Sequence, residues 1–234
     1  KFYEINSLKR KHLYNYFINR FSRVFPVLFI LTTITFLFQY LKHTDATSSI
    51  ITNYFLNITL LKGFSSEYYL TGIGPGWSLT VEELFYFLSP LLFLLLKKKS
   101  ALLYILLTVY LAGLLLTLLF SGINIGGFFS SFHFTFYFTF FGRVFEFLCG
   151  IYLAMLVKGI YKNAWIEKTG PRSTYLGMLL IGIAVALQYL IAVRFNVLQG
   201  YEHWLGLFVN NIIMPIGITI LFYGLIYHRS PVQW

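Results

Sequence analysis

The chain has 234 residues, of which 58% are hydrophobic, 21% aromatic and only 11% charged, with a formal net charge of +10. This composition excludes a water-soluble globular domain and a disordered chain alike, because 26 Phe and 18 Tyr have to be buried in protein or in lipid. A single cysteine excludes an intrachain disulfide, and no Cys or His cluster has zinc-site spacing, so no metal is expected.

At about 20 apolar residues per crossing, the sequence predicts an all-α protein, a polytopic integral membrane helical bundle with about six transmembrane helices. In chain order the predicted spans are 22–41, 77–96, 101–120, 137–157, 175–193 and 207–227. A further apolar stretch, 50–61, is too short to cross and carries Asn53 and Asn57, so it is expected to be a re-entrant or interfacial helix. Gly74-Pro75-Gly76 is a turn signal that starts the helix at Trp77, a residue common at the membrane interface. No repeat is visible, and the loops are too short for a soluble domain. The expectation is a single membrane domain over 1–234, incomplete at both ends: it begins at Lys1 without a signal peptide and stops at Pro231-Val232-Gln233-Trp234.

The basic residues punctuate apolar runs rather than forming a soluble basic face, which argues for membrane topology and against a nucleic-acid partner. With the N-terminus cytoplasmic, Lys1, Lys9, Arg10, Lys11, Arg20, Arg23, Lys97, Lys98, Lys99, Lys158, Lys162, Lys168, Arg172 and Arg229 fall on the cytoplasmic side. The other side receives only Lys42, Lys62 and Arg194, as the positive-inside rule requires. Lys9, Arg10 and Lys11 suit an anchor on anionic membrane lipid.

A charge inside the bilayer costs roughly 2.5–3.5 kcal/mol, so each one calls for a partner, a wet cavity or a function. Glu82, Glu83, Arg143 and Glu146 are such charges. Ser78, Glu82 and Tyr86 recur one helical turn apart, a polar stripe expected to face the bundle interior, with Glu83 rotated about 100° from it. Arg143 and Glu146, at i and i+3, are placed to pair with each other or to share their charge with Glu82, Glu83 and a ligand. Counted at 1.5 Å per residue, Glu82 and Arg143 lie about 7–9 Å inside the outer face, with Glu146 deeper. At the opposite face Arg20 and Arg23, also i and i+3, stand at the start of the first span, where they serve as interface anchors or as bidentate holders of phosphate. Asn57-Ile58-Thr59 has the form of a glycosylation sequon within an apolar stretch, which disfavours modification. The five histidines all lie in loops or at span ends.

Three blocks, in order, resemble the acyltransferase family 3 membrane proteins: Asn19-Arg20-Phe21-Ser22-Arg23-Val24-Phe25-Pro26; Trp77-Ser78-Leu79-Thr80-Val81-Glu82-Glu83-Leu84-Phe85-Tyr86 closed by Pro90; and Arg143-Val144-Phe145-Glu146-Phe147 with Gly150. The resemblance covers landmarks between residues 19 and 150. It implies an O-acyltransferase that moves an acyl group from cytoplasmic acyl-CoA, acetyl-CoA foremost, to a hydroxyl of a cell-surface carbohydrate or related acceptor. It implies that Arg20 and Arg23 bind the donor's phosphates and that Glu82, Arg143 and Glu146 shape the acceptor site or the reaction centre, Glu82 by orienting the base or by binding acceptor hydroxyls, with Trp77, Ser78 and Tyr86 as substrate-binding residues. The family's general base is a histidine on a helix preceding the arginine-bearing one, so this chain alone is expected to be inactive. Membrane lipid, acyl-CoA and a carbohydrate acceptor are the expected partners, and a bacterial cytoplasmic (inner) membrane is the expected location. The oligomeric state leaves no trace in the sequence. Two other functions compete: a carrier or flippase whose intramembrane charges line a solute path, and an inactive scaffold of acyltransferase type.

Overall fold

The computed structural model describes residues 10–42, 47–96, 100–123, 125–161, 170 and 172–228. Lys1, Lys9, Lys97, Lys98, Lys99, Lys162, Lys168 and Arg229 of the orientation argument lie outside the described residues, as do His43 and the terminal Pro231-Val232-Gln233-Trp234. The described residues are helices joined by turns, with one isolated bridge between Ser65 and Phe128. Six helical segments among them are long and apolar enough to cross a membrane: Leu13–Leu41, Gly74–Leu95, Ala101–Ser121, Phe132–Val157, Arg172–Phe195 and Trp204–Ile226. They correspond one for one to the predicted spans.

The chain divides into two compact units, Lys1–Phe141 and Gly142–Trp234. The first opens with α1 (Arg10–Leu41), whose 32 residues rise about 48 Å. This helix starts a good three turns before the predicted span, so Arg20 and Arg23 lie within it rather than at its entrance. Next, α2 (Thr47–Ile58) folds back on α1, with the Tyr54 hydroxyl 3.0 Å from Thr33 Oγ1 and the Tyr54 ring edge-on to Phe36. At about 18 Å it is too short to cross, as its length in the sequence predicted. The chain then makes a 3-10 turn at Leu61–Phe64 and a second at Gly74–Gly76, and enters α3 (Trp77–Leu95). Pro75 suits the start of that second turn, where its missing N–H is no loss.

After α4 (Ser100–Ser121), the predicted fourth span is not one helix. It begins as α5 (Phe132–Phe138), capped by Ser131, whose side chain accepts from the Phe134 N–H, and restarts as α6 (Phe140–Val157). Between them Thr139 is extended, at φ −106 and ψ 166. Its hydroxyl donates to the Thr135 carbonyl at 2.6 Å and accepts from the Phe141 N–H at 3.3 Å, so the break leaves neither of those backbone groups bare. A fully buried bond from Thr117 to Thr135 ties α5 to α4.

The second unit takes most of α6 and adds α7 (Arg172–Phe195), α8 (Trp204–Phe208), a π turn at Val209–Ile213 and α9 (Met214–His228). Small residues let α7 and α9 approach: a side chain at Gly177 would collide with the Leu221 backbone, and one at Gly224 with Thr174. The Gln188 amide of α7 donates to the Gly206 carbonyl at 2.6 Å, pinning α8 against it.

Candidate active site

Within the first unit, α1, the 58–64 segment and α3 line a half-open cavity of about 770 Å³. Its wall is mostly hydrocarbon, with Phe17, Phe21 and Phe25 on the α1 side and Leu60, Leu61 and Phe64 from the turn. Along α1 it reaches from Phe17 to Leu28, about 16 Å at the helical rise. The polar residues in the lining are Arg20, Thr59, Thr80, Glu83 and Tyr86. Thr80 is already engaged, because its hydroxyl donates to the Leu60 carbonyl at 2.6 Å.

Arg20 is set between two tyrosines. Its guanidinium carbon lies 4.5 Å from the centre of the Tyr86 ring and 5.8 Å from that of Tyr16. Tyr16 is held in turn by Ser89 Oγ at 2.6 Å and by donation to the Tyr86 carbonyl at 3.3 Å. Ring faces attract a cation by about 0.5–2 kcal/mol but accept none of its N–H bonds. Among the described residues no carbonyl, hydroxyl or carboxylate accepts from Arg20, so its donors are unspent at the cavity wall. Arg23, one turn further, is exposed and outside the cavity lining. The two arginines were expected to act alike; the fold gives them different surroundings.

The carboxylates are also redistributed. Glu82, expected on an inward stripe with Ser78 and Tyr86, is exposed, whereas Glu83 is half-buried and lines the cavity with Arg20. The cause is rotational: the cavity is lined by the side of α3 on which Thr80, Glu83 and Phe87 recur at i, i+3 and i+7, and Glu82 is turned about 100° from Glu83, towards the Ser89 side. Ser78 spends its hydroxyl on the Pro75 carbonyl at 3.0 Å, and Trp77 packs edge-on against Phe138 with ring centres 5.1 Å apart. Arg143 and Glu146, which belong to the second unit, pair with each other at 2.5 Å, one of the arrangements their spacing allowed.

Asn57 of the sequon-like tripeptide is 1% exposed, and its amide donates to the Asn53 carbonyl and to Thr71 Oγ1. Those bonds leave the amide nitrogen no room for a glycan. Lys62, placed by the sequence among outward-side basic residues, is likewise 1% exposed. Sequence reasoning also passed over Tyr16, whose only local signal is its i,i+4 spacing to Arg20.

A helical membrane protein whose first unit presents an unspent arginine to an apolar cavity is equipped to bind an anionic, chain-bearing ligand. A family model described as an acyltransferase domain, family 3, matches residues 3–234, and the chain belongs to that family of membrane acyltransferases. No curated protein and no solved structure matches the chain.

Proposed function

We propose that the protein is an O-acyltransferase that takes its acyl group, acetyl foremost, from cytoplasmic acyl-CoA and delivers it to a hydroxyl of a cell-surface carbohydrate. The observation that carries this reading is the Arg20 guanidinium, with unspent donors at the wall of a cavity about 16 Å long. Phosphate is the acceptor that suits such a fork, and Arg23 one turn away adds a second cation. The donor's arm then runs along α1 and brings the thioester towards Thr80 and the 58–64 segment. The acceptor's hydroxyl oxygen bonds to the thioester carbon, the carbon–sulfur bond breaks, and coenzyme A leaves as the thiol after taking the hydroxyl proton through a base. Arg143, held on Glu146 in the second unit, keeps the electrostatic role that its motif implies. Glu82, Trp77 and Ser78 belong to the acceptor side in this scheme, whereas Tyr86, expected with them, stacks on Arg20 at the donor cavity. The protein sits in a bacterial inner membrane with the Arg10 end of α1 cytoplasmic, in accord with the positive-inside distribution.

The test is transfer of radiolabelled acetyl from acetyl-CoA to membrane carbohydrate by the full-length protein at matched expression. Arg20→Ala and Arg23→Ala are expected to raise the KM for the donor about tenfold or more, as loss of a charge-assisted contact worth about 1.5–3 kcal/mol requires. Carbohydrate left unlabelled by folded wild-type protein, with several acyl donors tried, sinks the enzyme reading. The carrier reading would then lead, favoured by the helix break at Thr139, since carriers build solute sites on discontinuous helices.

A further inference from the structure

Lys62 is the one charged side chain fully buried among the described residues, and the reaction outlined above makes no use of it. Its ammonium donates to the Thr71 carbonyl at 2.7 Å and to the Ile73 carbonyl at 2.8 Å. The Ile73 carbonyl also accepts from the Gly76 N–H at 2.9 Å, so a single oxygen joins Lys62 to the turn from which α3 starts. Thr71 is braced from the other side by the Asn57 amide at 3.0 Å. Burying an ammonium costs several kcal/mol, and burial pushes Lys62 down to about 8. An apolar side chain of equal length would fill the space without that cost. What the amine adds is direction, two bonds that clamp the 71–76 segment onto the turn containing Lys62.

That turn lines one end of the cavity. Leu61 and Phe64 line it from either side of Lys62, together with Leu60, whose carbonyl is held by Thr80 of α3. Gly63 lies so close to Thr80 that a side chain there would overlap it, so the turn rests directly on α3. Phe17 and Phe87 stand at the other end, with ring centres 6.1 Å apart. On the proposed reading the donor's arm runs from Arg20 towards the Thr80 end, and the acyl group arrives against Leu60, Leu61 and Phe64.

We propose that Lys62 is a positioning residue that sets which acyl group the protein accepts: its bonds to Thr71 and Ile73 hold the 61–64 turn as the end wall of the donor cavity. The inference rests on the acyl-CoA reading and goes beyond it by assigning acyl-size selection to a buried clamp that touches no substrate. An apolar wall discriminates by about tenfold or more per methylene, so moving it shows as a change in preference.

The experiment compares acetyl-CoA, butyryl-CoA and octanoyl-CoA as donors for the full-length protein in native membranes, with wild type, Phe64→Ala, Lys62→Met, Lys62→Arg and Gly76→Ala. Phe64→Ala, which shortens the wall, is expected to raise the butyryl-to-acetyl ratio of kcat/KM about tenfold. Lys62→Met shifts that ratio in the same direction, and Lys62→Arg, which keeps N–H donors, stays closer to wild type. Gly76→Ala covers the case in which Lys62→Met does not fold: its Cβ would lie 3.0 Å from the ammonium, displacing the clamp without removing its charge, and it shifts the ratio the same way. Equal losses for every donor in the folded clamp variants overturn the proposal and make Lys62 purely structural. An unchanged ratio in Phe64→Ala overturns the placement of the wall. A wild type that transfers none of the donors overturns the acyl-CoA reading and the proposal with it.

Discussion

Lys62 binds its proton more weakly in the fold, at about 8, than in the unfolded chain, at 10.5, because burial removes the water that would solvate the ammonium. Between those values the unfolded chain carries more protons than the native one. Stability therefore rises with pH across that window, and the penalty for protonation is largest and constant below it. Thermal unfolding of the detergent-solubilised protein at pH 7.5, 9 and 10.5 is expected to show this rise, and Lys62→Met to lack the lysine's share of it. Parallel curves for the two proteins would mean that the amine is solvated in the native state. The same residue shows why the reading of single side chains was incomplete. Lys62 is one of three basic residues on the sparsely charged side of the topology, and nothing local marks it as buried; its partners are carbonyls 9 and 11 residues away.

The helices were legible where their boundaries follow from hydropathy and illegible where a tertiary contact decides them. A run of aromatic residues through 132–141 looks like one continuous span, yet Thr139 interrupts it by capping the next helix with its own hydroxyl. The π turn at Val209–Ile213 is equally hidden in an apolar run. Glycines on α7 give an element-scale test, because only some of them touch a neighbour. Gly177→Ala puts a methyl against the Leu221 backbone and is expected to destabilise by about 1–3 kcal/mol. Gly182→Ala meets nothing and is expected to be neutral or to stabilise by up to about 1 kcal/mol through helix propensity. Comparing the two variants by thermal unfolding decides the matter; equal effects would show that α7 does not pack on α9 through Gly177.

For the molecule as a whole, six apolar segments and the distribution of Lys and Arg predict an arrangement in the bilayer that is open to direct test. In a Cys149→Ser background, cysteines introduced by Lys98→Cys and Ile123→Cys are expected to react with an impermeant maleimide from opposite sides of the membrane, the second from outside. Labelling of both from one side would invert or break the topology, and with it the assignment of Arg20 to the donor side. The candidate site was half legible for a reason of geometry. Arg143 and Glu146 are one turn apart on one helix, so their pairing needed no knowledge of the fold. Glu82 and Glu83 are adjacent in sequence, and which of them lines the cavity with Arg20 depends on the face that α3 turns to it, a fact no single helix contains.

Composition, apolar run lengths and ordered motifs thus determined by themselves that the chain is an all-helical membrane protein with six spans, because lipid exacts the same length and hydropathy from every crossing helix. Family membership was legible in the same way, through residues whose spacing is local. Only the tertiary structure decided that Arg20 rather than Arg23 lines the cavity, that Glu83 rather than Glu82 does so, and that Lys62 is a buried clamp. Each of those outcomes turns on contacts between segments distant in sequence, Tyr16 with Ser89 or Leu60 with Thr80, and is set by helix rotation and packing rather than by hydropathy.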